Sequence, residues 1–213
     1  MNKEENTTVI ICAAGMGTRL GIGTTKAMLM INGKPLIIRL LESLKNFQDV
    51  RIVVGFQAES VIETVNAYRT DVMFVFNYDY EKTGPAESVK RAFLAVRENV
   101  IIIDGDLLIN PEDFEYFLSV QQECIGISRS HSNEPVWIKM EGKNVSDFST
   151  TKTSYEWSGI AKIKSKKIGK FDFFVYTMLK PLLPILGVEV RTRDIDTIED
   201  YEEAVEWESH NYL

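Results

Sequence analysis

The sequence predicts an α/β fold, in which a Rossmann-like, mixed and mainly parallel sheet is flanked by helices and followed by a smaller strand-rich lobe. Two observations lead to this prediction. Short aliphatic runs alternate with helical patterns through residues 1–123, whereas strand patterns separated by polar turns dominate residues 124–213. A chain of 213 residues can bury one substantial core, so we expect a single domain with these two lobes.

The first lobe is expected to hold alternating strands and helices. The predicted strands are Thr8–Cys12, Arg51–Val54, Val72–Asn77 and Val100–Ile103, and the predicted helices are Pro35–Phe47, Glu59–Tyr68 and Ala86–Glu98. Four consecutive aliphatic residues in the last of these strands are typical of a strand that is covered on both faces. A further helix should begin at Asn110, because a capping Asn is followed by Pro111 and by two acids in the first turn.

The second lobe is expected to contain more strands than helices. The predicted strands are Cys124–Ser130, Trp137–Glu141, Val145–Phe148, Tyr155–Ile163 and Val188–Thr192, with a hairpin turn at Gly142–Asn144. The predicted helices are Asp172–Lys180, which Pro181 should end, and a closing helix Ile198–Ser209.

Charge and composition limit the kinds of partner. The net charge of −7 and the isoelectric point near 5.0 argue against a general nucleic-acid surface, although a few local cations would still bind a small anion. The polar start does not resemble a signal peptide, and no apolar run reaches the roughly 20 residues of a membrane span, so we expect a cytoplasmic protein without a membrane partner. Cys12 and Cys124 lie in apolar runs and are expected to be free thiols.

A loop of small residues follows the first predicted strand and indicates an anion site. Residues 12–21 read Cys-Ala-Ala-Gly-Met-Gly-Thr-Arg-Leu-Gly, and Lys26 follows shortly after. Small residues let backbone N–H groups approach an anion, while Arg and Lys supply positive charge. A dinucleotide fingerprint is excluded because Leu20 stands at its third glycine, and no Gly-Lys-Ser/Thr ends a Walker loop. A plain glycine-rich turn with a surface Arg is the alternative.

The segment Ala13–Leu20, with Lys26 and Asn32–Leu36, resembles the signature of the nucleotidyltransferases that activate sugar phosphates and alcohol phosphates. That resemblance implies the nucleotide-diphospho-sugar transferase fold. It also implies that Arg19 and Lys26 are catalytic cations, with Arg19 neutralising the departing pyrophosphate. The residues that it assigns to the triphosphate are Ala13, Ala14, Gly15, Met16, Gly17 and Thr18. One departure is visible, because the family usually has Pro where this chain has Thr25.

Two acidic segments resemble the metal ligands of the same family. Asp106 ends the sequence Asp-Gly-Asp after a buried strand, and Asp196 precedes the closing helix. By this resemblance they would bind Mg²⁺, whose remaining ligands would be phosphate oxygens. Asp106 could instead be a turn residue, and Asp196 or Thr197 could simply cap the helix. Asp194 stands where many members of the family have Glu.

A third segment resembles the loop that lies against the base and ribose in this family. It runs from Asn77 to Ser88, and within it Gly84 would allow close approach of the nucleotide while Ser88 could donate a hydrogen bond. The sequence Gly-Pro-Ala-Glu-Ser is equally typical of an ordinary helix start.

The predicted reaction is attack by an acceptor phosphate on the α-phosphorus of a nucleoside triphosphate, with release of pyrophosphate. The short spacing from Arg19 to Lys26 resembles that of cytidylyltransferases for alcohol phosphates, and this resemblance implies CTP as the nucleotide and a small alcohol phosphate or sugar phosphate as the acceptor. The alternatives are a sugar-1-phosphate uridylyl-, thymidylyl- or guanylyltransferase, a non-catalytic nucleotide-binding homologue, and a glycosyltransferase. No general base is required, and His131 and His210 are interpreted as surface residues.

Residues of the second lobe are predicted to bind the acceptor. These are Trp137, Tyr155, Trp157 and Gly159. The three aromatic residues could form a cage for a quaternary ammonium group or could simply pack in the sheet. Three lysines could bind the acceptor phosphate or lie in solvent: Lys139, Lys152 and Lys162.

Overall fold

The computed structural model describes residues 4–17, 20–21, 23–130, 132 and 134–210. Within them lie thirteen strands and six α-helices. The strands are β1 Thr7–Ala13, β2 Met30–Ile31, β3 Lys34–Pro35, β4 Asp49–Val54, β5 Val72–Phe76, β6 Asn99–Asp104, β7 Leu107–Ile109, β8 Cys124–Arg129, β9 Trp137–Glu141, β10 Asn144–Ser149, β11 Tyr155–Lys164, β12 Ile185–Glu189 and β13 Thr192–Asp194. The α-helices are α1 Leu36–Ser43, α2 Ala58–Tyr68, α3 Pro85–Ala92, α4 Pro111–Ser119, α5 Val175–Leu179 and α6 Ile198–Ser209.

A single nine-stranded sheet runs through both halves of the chain in the order β5-β4-β1-β6-β11-β8-β12-β10-β9. The four strands from residues 1–123 are parallel to one another, as predicted. In the second half, β11 runs antiparallel to β6 and β8, and only β8 and β12 pair in parallel. The predicted α/β class with a mixed sheet is therefore confirmed, and three of the four parallel pairings among the described strands of this sheet lie in the first half.

Apolar residues on both faces of the sheet form the core. Successive residues of β1 point to opposite faces, so Val9 and Ile11 join one buried cluster while Ile10 joins another. Helices α1, α2 and α4 cover the first face, and α3 and α5 cover the second. A third cluster lies beneath α6 and includes Trp207. Covering both faces explains why the parallel strands have aliphatic runs rather than alternation.

Helix starts agree with the sequence signals. Asn110 accepts a hydrogen bond from the Asp113 backbone N–H, as predicted for a capping Asn. Helix α6 spans the predicted residues, and its capping box joins Thr197 to Asp200.

Several predicted ends of helices and strands were wrong. The helix predicted over Pro35–Phe47 stops at Ser43, and that predicted over Ala86–Glu98 stops at Ala92, shortly before Ala95 adopts a left-handed backbone with φ of 52°. The helix predicted from Asp172 begins only at Val175, because the Asp172 carboxylate accepts the backbone N–H of Phe173. The strand predicted over Val188–Thr192 is split between β12 and β13, since Thr192 leaves β12 to pair with Ile109.

No helix among the described residues is long and apolar enough to reach across a lipid bilayer.

Lys162 corrects another expectation. It was considered for an acceptor phosphate or for solvent, but its side chain is buried within β11. Its ammonium donates hydrogen bonds of 2.9 Å to the carbonyl oxygens of Phe117, Leu118 and Val120 at the end of α4. The last carbonyls of a helix lack intrahelical partners and carry partial negative charge. Lys162 therefore joins α4 to the sheet and is not a ligand-binding residue.

Replacing Lys162 with Met should lower the free energy of unfolding by about 2–3 kcal/mol, because carbonyl groups at the end of α4 lose a charged donor. Urea denaturation would measure the change. Lys139→Met is the matched control, since Lys139 is exposed on β9, and it should change stability by less than about 0.5 kcal/mol. Equal stabilities of the two variants would contradict this role of Lys162.

Candidate active site

A cavity of about 360 Å³ opens at the carboxyl ends of the parallel strands β1 and β6. Ligands of open α/β sheets bind at this edge. Most of the predicted nucleotide and metal residues line it: Ala13, Ala14, Gly15, Gly17, Lys26, Gly84, Ser88, Asp106 and Asp196. Met16 does not line the cavity, and the predicted triphosphate residues Thr18 and Arg19 lie outside the described part of the chain.

Lys26 joins the two predicted metal ligands. Its ammonium donates to Asp106 Oδ2 at 2.8 Å and also to Asp196 Oδ1, so both carboxylates converge on one point. The exposed fraction of the side chain is 15% for Lys26, 30% for Asp106 and 21% for Asp196. Strands β7 and β13 bring the two acids together, because Leu107, next to Asp106, pairs with Asp194. Strand β7 was not predicted, and only Thr192 of β13 lay in a predicted strand.

The electrostatics of this cluster are strongly coupled. Burial alone would lower the pKa of Lys26, but the hydrogen bonds and charges of Asp106 and Asp196 outweigh it and raise the pKa well above its ordinary value. Lys26 is therefore cationic at neutral pH. Neighbouring Asp104 has a pKa raised well above its usual range, chiefly by burial and then by the charge of Asp106. The same two causes, burial and nearby carboxylates, raise the pKa of the Cys12 thiol.

The loop that carries Lys26 is held by side-chain hydrogen bonds. The Thr25 hydroxyl donates to the Gly15 carbonyl oxygen, and the Thr25 backbone N–H donates to Gln57 Oε1, each at 3.3 Å. Gln57 in turn donates to the Gly23 carbonyl oxygen at 2.7 Å. Pro, which the family usually has at position 25, lacks both the hydroxyl and the N–H. Thr25 is therefore tied to the loop by contacts that Pro could not make.

Gly17 allows Lys26 to reach the carboxylates. Its backbone is left-handed, with φ of 58°, and a Cβ there would lie 2.7 Å from Lys26 Cγ. A side chain at this position would therefore strain the loop and displace the lysine.

Gly84 is required by packing, a reason that the sequence did not reveal. A Cβ at this position would lie 2.1 Å from the carbonyl oxygen of Phe173, so the glycine is required by packing against the chain before α5. Gly84 still lines the cavity, as does Ser88. Asn77, which had no individual role in the sequence argument, is buried here and donates to the hydroxyls of Thr83 and Ser88.

A second, smaller cavity of about 160 Å³ lies beside the first. Asp104, Asp106 and Asp196 line both cavities and form the wall between them. Of the residues predicted to bind the acceptor, Trp157 and Gly159 line the second cavity.

The structure does not bring Trp137 and Tyr155 to either cavity. The ammonium of Lys152 lies 6.0 Å from the centre of the Trp137 ring, and the Arg129 guanidinium lies 5.2 Å from that of Tyr155. Lys139 and Lys152 also lie outside the two cavities.

Sequence reasoning missed several residues of the second cavity. They are Ser128, Ser132, Glu134, Glu156 and Thr192. For Ser128, Glu156 and Thr192 the only sequence signal was a polar side chain inside a predicted strand, which is weak in a strand-rich lobe. Ser132 and Glu134 lie between predicted strands and had no signal. Asp194, which was noted only by comparison with the family, also lines this cavity.

The carboxylates of this cluster have the chemistry of metal ligands. Hard carboxylate oxygens that converge from two directions suit Mg²⁺, and the Lys26 ammonium satisfies them in this structure. Among the described residues, no group of three or more His, Cys, Asp or Glu could hold a metal ion. Asp106 and Asp196 are the carboxylates of this cluster that could supply oxygen ligands to such an ion.

Solved structures of similar shape belong to nucleotidyltransferases. The CTP:phosphocholine cytidylyltransferase of Streptococcus pneumoniae superposes with a TM-score of 0.78 and 25% identity, covering 94% of this chain and 98% of that one. The inositol-1-phosphate CTP transferase of T. maritima gives a TM-score of 0.77 at 18% identity, with 96% of each chain covered, and so supports the fold alone.

Sequence comparison leads to the same group of proteins. The bifunctional protein GlmU of Neisseria meningitidis serogroup B is 29% identical over 130 residues, which are 60% of this chain and 28% of that relative's length. The chain thus spans well under half of that protein. The MobA-like NTP transferase domain matches residues 9–147. Because that match covers more than half of the chain, the protein belongs to the MobA-like NTP transferase family, a family of nucleotidyltransferases.

Proposed function

We propose that this protein transfers a nucleoside monophosphate, CMP from CTP, to a small alcohol phosphate or sugar phosphate and releases pyrophosphate. The observation that carries the proposal is the cluster of Lys26, Asp106 and Asp196 at the wall between two cavities. A transferase needs its two substrates on either side of the reacting atoms, and this wall has a cavity on each side. The larger cavity suits the nucleotide and the smaller one suits the acceptor.

The choice of CTP has two supports. The spacing between Arg19 and Lys26 resembles that of cytidylyltransferases for alcohol phosphates, and a solved structure that is 25% identical is described as a CTP:phosphocholine cytidylyltransferase. Asn77 and Ser88 lie beneath the larger cavity and are proposed to contact the base or ribose.

Lys26 is proposed to bind the α-phosphate and the charge that develops on it. Its raised pKa keeps it cationic, and its tether to Asp106 and Asp196 orients it before the substrate arrives. Asp106 and Asp196 are proposed to hold Mg²⁺, which would supply further positive charge to the phosphate oxygens. Arg19 keeps the role that the sequence predicts, which is to neutralise pyrophosphate.

No side chain is required as a general base. A phosphate monoester has a second pKa of about 6 and is largely a dianion at neutral pH, so the acceptor is already a nucleophile. Positioning and charge neutralisation then provide the rate enhancement.

Pyrophosphate release should identify the reaction. With Mg²⁺ present, CTP, UTP, dTTP, GTP and ATP would each be paired with phosphorylated alcohols and sugar 1-phosphates. We expect release with CTP and a small phosphorylated alcohol, together with formation of the linked product. Release only with another nucleotide would contradict the choice of CTP. Absence of release from every pair would contradict the proposed transfer.

Asp106→Asn and Asp196→Asn should each lower kcat by about 100-fold or more, since each removes a charge that organises the reacting phosphates. Activity assays at saturating Mg²⁺ and urea denaturation would separate catalysis from folding. Asp71→Asn is the matched control, because Asp71 is exposed between α2 and β5 and lines neither cavity. Near-normal kcat in either site variant would remove that residue from the reaction.

Gly17→Ala should lower kcat by at least about tenfold, because the added Cβ meets Lys26 Cγ and moves the ammonium away from the α-phosphate. Gly169→Ala is the control, since a Cβ at Gly169 has no atom within 4 Å. Steady-state measurement of pyrophosphate release would test both variants. An unchanged kcat for Gly17→Ala would show that the position of Lys26 does not limit the reaction.

A further inference from the structure

Two buried hydroxyl groups in the second cavity have no hydrogen-bond partner. Ser128 and Ser158 are only 3% and 4% exposed, both line this cavity, and neither Oγ has a partner in the structure. Burying a hydroxyl group without a hydrogen bond costs free energy, so such groups are uncommon and need an explanation. A ligand that enters the cavity and makes the missing hydrogen bonds would provide one.

The two hydroxyls lie on the same face of the sheet. Gly126 and Ser128 are two residues apart on β8, so both positions face the same side. A Cβ at Gly126 would lie 2.3 Å from Ser158 Oγ, which places the Ser158 hydroxyl over this face of β8. Two residues along a strand span about 7 Å, a distance that one small molecule can bridge. Both hydroxyls can therefore contact the same ligand.

The carboxylate that lies opposite Ser128 is already engaged within the protein. Glu156 faces Ser128 in the register of β8 with β11. Its two oxygens accept hydrogen bonds from the Ser132 backbone N–H at 3.3 Å and from Ser132 Oγ at 2.9 Å. These hydrogen bonds do not include Ser128 or Ser158, so the two hydroxyls are left for a ligand.

A hydroxyl group is the ligand group that best matches two unpaired serine hydroxyls. Each serine can both donate and accept, and a ligand hydroxyl can likewise donate to one serine and accept from the other. A protonated amine only donates, so the serine protons would stay unpaired. A phosphate group only accepts and is usually bound by cationic side chains, whereas none of the described residues that line this cavity is Lys or Arg.

The lining does not suit a quaternary ammonium group. Such a group has no hydrogen-bond donor, and a cage for it needs several aromatic faces. Trp157 is the one aromatic side chain among the described lining residues, and its Nε1 donates to the Ile160 carbonyl oxygen at 3.3 Å.

We propose that Ser128 and Ser158 are specificity-determining residues that hydrogen bond to a free hydroxyl group of the acceptor, which is accordingly a phosphorylated polyol. The phosphate of this acceptor lies at the wall formed by Asp106 and Asp196, where Lys26 supplies positive charge, and its hydroxyl-bearing end extends into the second cavity. The proposal rests on the proposed function, since it names the acceptor class of the same reaction.

Acceptors with and without a free hydroxyl test the ligand chemistry. Glycerol 3-phosphate and glucose 1-phosphate have free hydroxyl groups, whereas propyl phosphate, ethanolamine phosphate and choline phosphate have none. With CTP and Mg²⁺, kcat/KM for the better polyol phosphate should exceed that for each hydroxyl-free compound by about tenfold or more, as expected for two hydrogen bonds. Equal or better use of any hydroxyl-free compound would overturn the proposal.

Serine variants connect the preference to the two hydroxyls. Ser128→Ala and Ser158→Ala should each lower the ratio of kcat/KM for glycerol 3-phosphate to that for propyl phosphate by about fivefold. Neither should lower the free energy of unfolding in urea denaturation, because each removes a buried hydroxyl that has no partner in the free protein. An unchanged ratio in both variants would overturn the proposal, since the hydroxyls would then bind only water.

Ser146→Ala is the matched control. Ser146 lies on β10 outside both cavities, and its hydroxyl donates to the Lys139 carbonyl oxygen at 3.3 Å. This variant should leave the ratio unchanged. A loss of the ratio equal to that of the cavity variants would show that the effect does not depend on the second cavity.

Direct binding separates this proposal from the proposed function. Calorimetry would compare glycerol 3-phosphate with propyl phosphate, each with CTP present and Ca²⁺ in place of Mg²⁺. If no acceptor releases pyrophosphate, the proposed transfer fails, whereas tighter binding of glycerol 3-phosphate that Ser128→Ala weakens still supports the hydroxyl site. Equal binding, or no binding, of the two compounds would overturn the hydroxyl site even if transfer to another acceptor is found.

Discussion

The ammonium of Lys26 is the charge on which the arrangement of this site depends. Asp106 and Asp196 both accept hydrogen bonds from it, and two carboxylates so close together would repel one another without a cation between them. The three residues come from distant parts of the chain. The pairing of β7 with β13 places the acids, and Thr25 with Gln57 places the lysine. The cluster of Lys26, Asp106 and Asp196 therefore depends both on local loop contacts and on long-range strand pairing.

Elements with local signals were predictable from the sequence. The capping Asn110 and the capping box of α6 act within one helical turn, so their chemistry is visible in adjacent residues. The small-residue loop was likewise evident, because Gly17 and Lys26 are close in sequence. The positions of Asp106 and Asp196 were predicted only by resemblance to a family. Nothing local connects these two residues, because they only flank the strands β7 and β13, each of which is three residues long.

The remaining features depend on tertiary packing. Lys162 could not be distinguished from a solvent lysine because it alternates with Ala161 and Ile163, as on a half-exposed strand, whereas β11 is buried on both faces at this point. The partners of its ammonium lie 42 to 45 residues away along the chain. Ser128 and Glu156 become a pair only through the register of β8 with β11. Gly84 illustrates the same difficulty. The atom that leaves no room for a side chain there is the carbonyl oxygen of Phe173, which is distant in sequence.

Two buried hydroxyl groups that line the smaller cavity have no hydrogen-bond partner in the structure. Two other buried polar side chains are fully paired: Asn77 donates to two hydroxyls, and Lys162 donates to three carbonyls. Ser128 and Ser158 break that rule within a cavity that is lined by acids. Apolar residues could fill these two positions and would avoid the cost of burying an unpaired hydroxyl. Polar groups retained at such a cost are expected at functional sites, where a ligand supplies the missing hydrogen bonds.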